Sequence, residues 1–187
     1  MRIGFAMCGS FCTFAQVFPI MESLAKNHTV IPIFSHSSYT IDSRFGTAAE
    51  HIQKAQAICS AAPIHTISQA EPIGPKKMLD ILVIAPCTGN TLAKLAHSIA
   101  DGPVTMAAKS HLRNNHPIVL AISTNDALVG AAENVGRLLA RKNYYFVPFG
   151  QDDPVNKPGS MIADFSQLPK AITEAAAGRQ LQPLITR

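Results

Sequence analysis

Apolar positions along the chain follow two alternating patterns. Short, nearly unbroken runs such as Ile81-Leu82-Val83-Ile84-Ala85 and Ile118-Val119-Leu120-Ala121-Ile122 have the length and β-branched content of strands buried on both faces. Similar runs predict strands over residues 2–7, 28–35 and 144–148, with a shorter one at 64–67. Between them the spacing changes to that of a helix. Val17, Ile20, Met21 and Leu24 make one apolar stripe over 13–26, with Pro19 in its early turns, and Ala49, Ile52, Ala55 and Ile58 another over 47–60. Leu92, Leu95, Ala96 and Ile99 make a third after Thr88. Further helices are expected over 103–112, 127–142 and 166–177. Strands that alternate with helices predict an α/β fold: a doubly wound parallel sheet with helices on both faces.

At 187 residues the chain reads as a single domain, 1–187, with a C-terminal loop and helix from about 149. Hydrophobic residues make up 47% and charged residues only 15%, so more surface is expected to be covered than one fold requires, which points to a homo-oligomer. The net charge of +4 is mildly basic, but Lys and Arg are scattered and never interleave with aromatic residues, so no nucleic-acid partner is expected. Small anions suit this charge better. Cys8, Cys12, Cys59 and Cys87 form no CxxC pair, and the seven His residues form no HExxH pair, so no metal site is expected and the cysteines are read as reduced thiols. The amino terminus lacks a signal-peptide core and no apolar run approaches membrane-spanning length, so the expectation is a cytoplasmic protein without a membrane partner.

Candidate chemistry gathers where strands should end, the edge at which open α/β sheets bind ligands. Gly9 and Ser10 follow the first strand, Ser35-His36-Ser37-Ser38-Tyr39-Thr40 the second, Cys87-Thr88-Gly89-Asn90-Thr91 the central one and Ser123-Thr124-Asn125-Asp126 the next. Helix-starting N–H groups carry partial positive charge there, and Gly9 allows close backbone approach, so a phosphate or the polar edge of a ring can be held. Each turn also reads as an ordinary connection, with Thr88 serving as an N-cap. The three-glycine GxGxxG signature is absent, which argues against an ordinary dinucleotide site. In the polar loop 149–161, Asn156, Lys157 and Ser160 can hold a carboxylate by charge and hydrogen bonds, or simply belong to a loop crossing to the last helix.

Taken together, Gly9-Ser10, the serine-rich end of strand two and the stretch Ala85-Pro86-Cys87-Thr88-Gly89-Asn90-Thr91-Leu92-Ala93-Lys94 with Ile99-Ala100-Asp101 resemble the homo-oligomeric FMN-binding flavoproteins. That family includes cysteine-type decarboxylases and flavin prenyltransferases, and the resemblance covers nearly the whole chain. It implies a Rossmann-like fold, FMN as cofactor, and trimers often assembled into dodecamers. It further implies that Gly9, Ser10, Ser35 and Ser37 surround the FMN phosphate, that Pro86, Thr88 and Asn90 lie near the flavin and ribityl chain, and that Ser123 and Thr124 face the cofactor.

Departures from the family narrow the expected chemistry. Decarboxylases of the family carry a His-Ile-x-Leu stretch where this chain reads Pro72-Ile73-Gly74-Pro75, and prenyltransferases carry Arg-Glu-Thr-Pro where this chain reads Ser123-Thr124-Asn125-Asp126. The FAMCGSFCTF start and the 149–161 loop are similar instead to a branch that helps form a pyridine dicarboxylate in sporulating bacteria. That likeness implies an oxidoreductase subunit in the mother cell, dehydrating and oxidising a small dicarboxylate beside an NAD(P)-binding Rossmann-like partner subunit. Asn156, Lys157 and Ser160 are then expected to bind a substrate carboxylate, while no side chain stands out as a general base. An FMN-dependent decarboxylase and a non-catalytic subunit that stabilises its partner are the other expectations.

Overall fold

The computed structural model describes residues 1–186. Its elements run β1 (Arg2–Met7), α1 (Phe14–Ala25), β2 (Thr29–Phe34), α2 (His36–Thr40), α3 (Ala48–Cys59), α4 (Ile67–Ala70), β3 (Ile81–Cys87) and α5 (Gly89–Ala96). They continue with α6 (Pro103–Leu112), β4 (Ile118–Thr124), α7 (Ala132–Leu139), β5 (Tyr144–Phe146), β6 (Phe149–Gly150), β7 (Met161–Ala163) and α8 (Leu168–Ala176).

Parallel pairing sets β2 beside β1, β1 beside β3, β3 beside β4 and β4 beside β5. The order 2-1-3-4-5 reverses direction between β1 and β3, and connections leaving those two strands diverge to open a crevice at their carboxyl ends. Every residue of β3 is buried, as its unbroken apolar run requires of a strand covered on both faces. α1 packs with α3 and α8, and α5 with α6 and α7, giving a helical layer to each side of the sheet.

Helix starts follow local chemistry. Thr47 caps α3 through the Glu50 N–H, and the Glu50 carboxylate accepts the Thr47 N–H in return. The Thr88 hydroxyl accepts the Thr91 N–H at the start of α5, and Pro103 opens α6 where a missing N–H costs nothing.

Four local expectations give way. The sheet is mixed, because β7 pairs antiparallel with both β4 and β6 and so extends the sheet past the end of β4. The 64–67 strand reduces to one bridge between Ile33 and Ile64, after which Thr66 caps α4. The serine-rich end of β2 winds into α2, its first turn closed by the Ser35 hydroxyl accepting the Ser38 N–H. The helix expected from 127 starts at Ala132, since the Asp126 carbonyl draws in the N–H groups of Val129 and Ala131 and holds the intervening chain in a turn.

Candidate functional site

The crevice at the carboxyl ends of the strands holds two adjoining cavities, of about 660 and 400 Å³. Gly9, Phe11, Thr88 and Asn90 line both, so the β1–α1 and β3–α5 turns form the ridge between them. These turns are joined at their base, where the Cys8 N–H donates to the Pro86 carbonyl at 3.3 Å. The β2 end is joined to them as well, through Ser35 N–H and the Ser38 hydroxyl, which both donate to the Met7 carbonyl, at 3.0 and 2.7 Å.

The smaller cavity lies among helix starts. Ser35 and Ser37 line it from the start of α2, Thr91 and Lys94 from α5, and Gly102 and Thr105 from the start of α6. The Lys94 ammonium contacts both oxygens of Asp101 at 2.9 Å, tying α5 to the segment that leads into α6 and holding the Asp101 carboxyl below its ordinary range.

Five chain segments wall the larger cavity. Ser10 meets Ser123 in its wall, hydroxyl to hydroxyl at 2.6 Å. Thr124 donates to Asp126 just behind Gly89, where a Cβ would lie 2.7 Å from the Thr124 hydroxyl and 2.6 Å from the Asp126 carboxylate. A side chain at 89 would push the β3 and β4 turns apart, which is why glycine stands there. From the 151–160 loop come Asp152, Lys157 and Ser160; the Ser160 hydroxyl and the Lys157 ammonium, at 3.3 Å, hold the Asp152 carboxyl below its ordinary range.

Of the residues singled out in the sequence, Gly9, Ser10, Ser35, Ser37, Thr88, Asn90, Ser123, Thr124, Lys157 and Ser160 line one cavity or both. Pro86 and Asn156 do not. Pro86 is buried in β3 beneath the ridge, and the Asn156 side chain turns back to both Asp153 oxygens at 3.1 Å, closing its own loop. Residues 72–75 pack against α6 and line neither cavity.

Sequence reading misses the turn 43–46, which brings Arg44 and Phe45 to the larger cavity, and Cys12 beside it. Asp42, Ser43 and Gly46 mark a turn in composition, yet no linear signal says which wall of the fold it will reach. The α6 start does carry a signal, Gly102-Pro103, but one that marks a helix boundary and says nothing of a cavity. Among the described residues no group of acidic, His and Cys side chains is placed to hold a metal, and no helix is long and apolar enough to cross a membrane.

Known proteins share this architecture. The chain is 46% identical to the B subunit of dipicolinate synthase from Bacillus subtilis over 185 residues, 98% of this chain and 92% of that one. It superposes on the crystal structure of the corresponding dipicolinate synthase B chain from Bacillus halodurans with a TM-score of 0.91 and 44% identity, covering 100% of this chain and 96% of the other. Burkholderia xenovorans DmrB in complex with FMN shares the fold, with a TM-score of 0.69 at 18% identity over 94% of this chain and 95% of that one. The flavoprotein family profile matches residues 1–163, and with a relative so similar along nearly its full length, the chain belongs to the flavoprotein family.

Proposed function

We propose that the chain binds FMN across the two cavities and acts as the B subunit of a dipicolinate synthase, in the dehydration and oxidation of a dihydro- or hydroxy-tetrahydrodipicolinate precursor. The observation that carries this reading is a set of unused donors. Gly9, Phe11, His36, Ser37, Gly89 and Asn90 line the cavities, and their backbone N–H groups have no hydrogen-bond acceptor among the described residues. Such groups cost free energy in a crevice unless water or a ligand takes them, and at helix starts they favour an anion.

The residues fit the cofactor. The N–H groups of His36 and Ser37, the Ser37 hydroxyl and the starts of α5 and α6 suit its phosphate. Thr88 and Asn90, on the ridge, suit the ribityl chain and ring edge, and the paired Ser10 and Ser123 hydroxyls with Thr124 form the wall the ring would face. Bound there, FMN supplies a two-electron acceptor. Lys157 and Ser160 hold a substrate carboxylate, and Asn156 serves at one remove by bracing the loop through Asp153.

Exposed Leu128, Val129 and Val155 near the larger cavity support assembly into trimers or dodecamers, and so does the low charge content. The B-subunit relatives imply a partner subunit, and the proposed one is an NAD(P)-binding Rossmann-like A subunit, with the mother-cell cytoplasm of a sporulating bacterium the proposed location. The test is an absorption titration of the purified chain with FMN, followed by an assay for dipicolinate with the A subunit. A saturable change in the flavin bands, and product formation that requires this chain, are expected. Flavin bands that stay those of free FMN overturn the cofactor assignment, and product formation by the A subunit alone overturns the role in the reaction.

A further inference from the structure

Two basic side chains line the larger cavity, and their surroundings differ. Lys157 lies 3.3 Å from the Asp152 carboxylate, so its charge is balanced before any ligand arrives. Arg44 has no carboxylate partner among the described residues; its guanidinium carbon rests 4.9 Å from the centre of the neighbouring Phe45 ring. Arg44 comes from the connection between α2 and α3, and Lys157 from that between β6 and β7, so separate segments bring the two cations to one cavity.

The turn carrying Arg44 is firmly held although its tip is exposed. Ser43 and Gly46 exchange N–H to carbonyl hydrogen bonds of 3.0 and 3.1 Å, and the Phe45 N–H donates to the Ser43 hydroxyl at 3.2 Å. Gly46 has φ of 126°, a conformation that leaves glycine as the suitable residue, and a Cβ there would lie 2.8 Å from the His51 ring. On either side, the Ala48 N–H donates to Asp42 at 2.8 Å and the Thr47–Glu50 cap begins α3. A rigid turn therefore holds a planar cation and an aromatic face over the cavity, and neither helps pack the core. A guanidinium stacked on a ring keeps its hydrogen-bonding edge free for a carboxylate.

We infer that Arg44 anchors one carboxylate of a planar ring dicarboxylate, with Phe45 covering the ring and Lys157 and Ser160 at the other carboxylate. This rests on the proposed dicarboxylate chemistry and deepens it: the unbalanced cation makes the site prefer two carboxylates to one.

The test uses the full-length chain loaded with FMN, titrated calorimetrically with pyridine-2,6-dicarboxylate and with pyridine-2-carboxylate. The wild-type chain is expected to bind the dicarboxylate more tightly. Arg44→Met should weaken it by about tenfold to a hundredfold, the range for losing a charge-assisted hydrogen bond, and bring the two affinities together. Arg44→Lys, which keeps the charge and loses the fork, should recover part of the difference. The side chain is exposed, so the variants should keep the wild-type circular dichroism and FMN affinity. If Arg44→Met keeps both the affinity and the preference, the assignment is wrong while the dicarboxylate chemistry stands. If it sheds FMN, the guanidinium belongs to the cofactor and the assignment is again wrong. If the wild-type chain binds neither acid, the inference and the reading beneath it fall together.

Discussion

The Ser10 and Ser123 hydroxyls lie 2.6 Å apart, joining turns separated by 113 positions in the sequence. One turn follows β1 and the other ends β4, with β3 between them in the sheet, so this contact spans the crevice floor. Ser123 is buried, and losing its partner strands a hydroxyl. Ser10→Ala and Ser123→Ala should each cost about 1 kcal/mol of stability, and the double variant less than their sum. Urea denaturation of the four proteins checks this. Strictly additive losses would mean that the two hydroxyls do not depend on each other. FMN affinity should fall about fivefold in either single variant, roughly 1 kcal/mol.

Thiol chemistry offers a probe of the same crevice. Cys8 and Cys87 are buried, and burial pushes the Cys8 thiol up to about 11 and Cys87 well above its ordinary value. Burial also pushes the half-buried Cys59 up to about 11. Cys12 is exposed and lines the larger cavity. Because thiolates are the reactive form, iodoacetamide at mildly alkaline pH should label Cys12 first, as peptide mass spectrometry will show. Saturating FMN should slow that labelling. An unchanged Cys12 rate in the presence of bound FMN would place the flavin away from this cavity.

His111 predicts a pH dependence of stability unrelated to the site. Its ring is fully buried in α6, the Nε2–H donates to the Pro117 carbonyl at 3.1 Å, and Nδ1 has no partner among the described residues. Burial, with a contribution from neighbouring His116, pushes its pKa from 6.5 down to about 4. Between those values the unfolded chain takes up a proton that the folded chain refuses, so stability falls as pH falls through the window. The whole shift corresponds to roughly 3 kcal/mol. Urea midpoints measured from neutral pH down to about 4 should drop more steeply for the wild-type chain than for His111→Gln. Parallel curves would exclude His111 as the source.

The parallel strands are readable because a strand covered on both faces needs an unbroken apolar run, and β3 and β4 have one. Strands as short as β6 and β7 carry no such run; they exist because the 151–160 loop returns to pair with the end of β4. Leu128 and Val129 resemble the first turn of a helix, but they are exposed in a turn, where the Leu128 N–H donates to the distant Gly159 carbonyl. The smaller cavity is foreseeable from polar residues at strand ends, since the sheet's geometry puts those ends on one edge. Arg44 is not foreseeable in the same way. Its turn begins well past the end of β2 and reaches the crevice through the packing of α2 and α3.

Local composition and period thus settled the alternation of strands and helices, the caps at Thr47 and Thr88, and the polar character of the strand ends, because each depends on residues within a few positions of one another. Long-range packing settled that Ser10 meets Ser123, that Asn156 closes on Asp153 away from the cavity, and that Arg44 stands over it beside an already balanced Lys157. Strand order and loop return create those neighbours, and neither is written in the spacing of apolar residues along a chain.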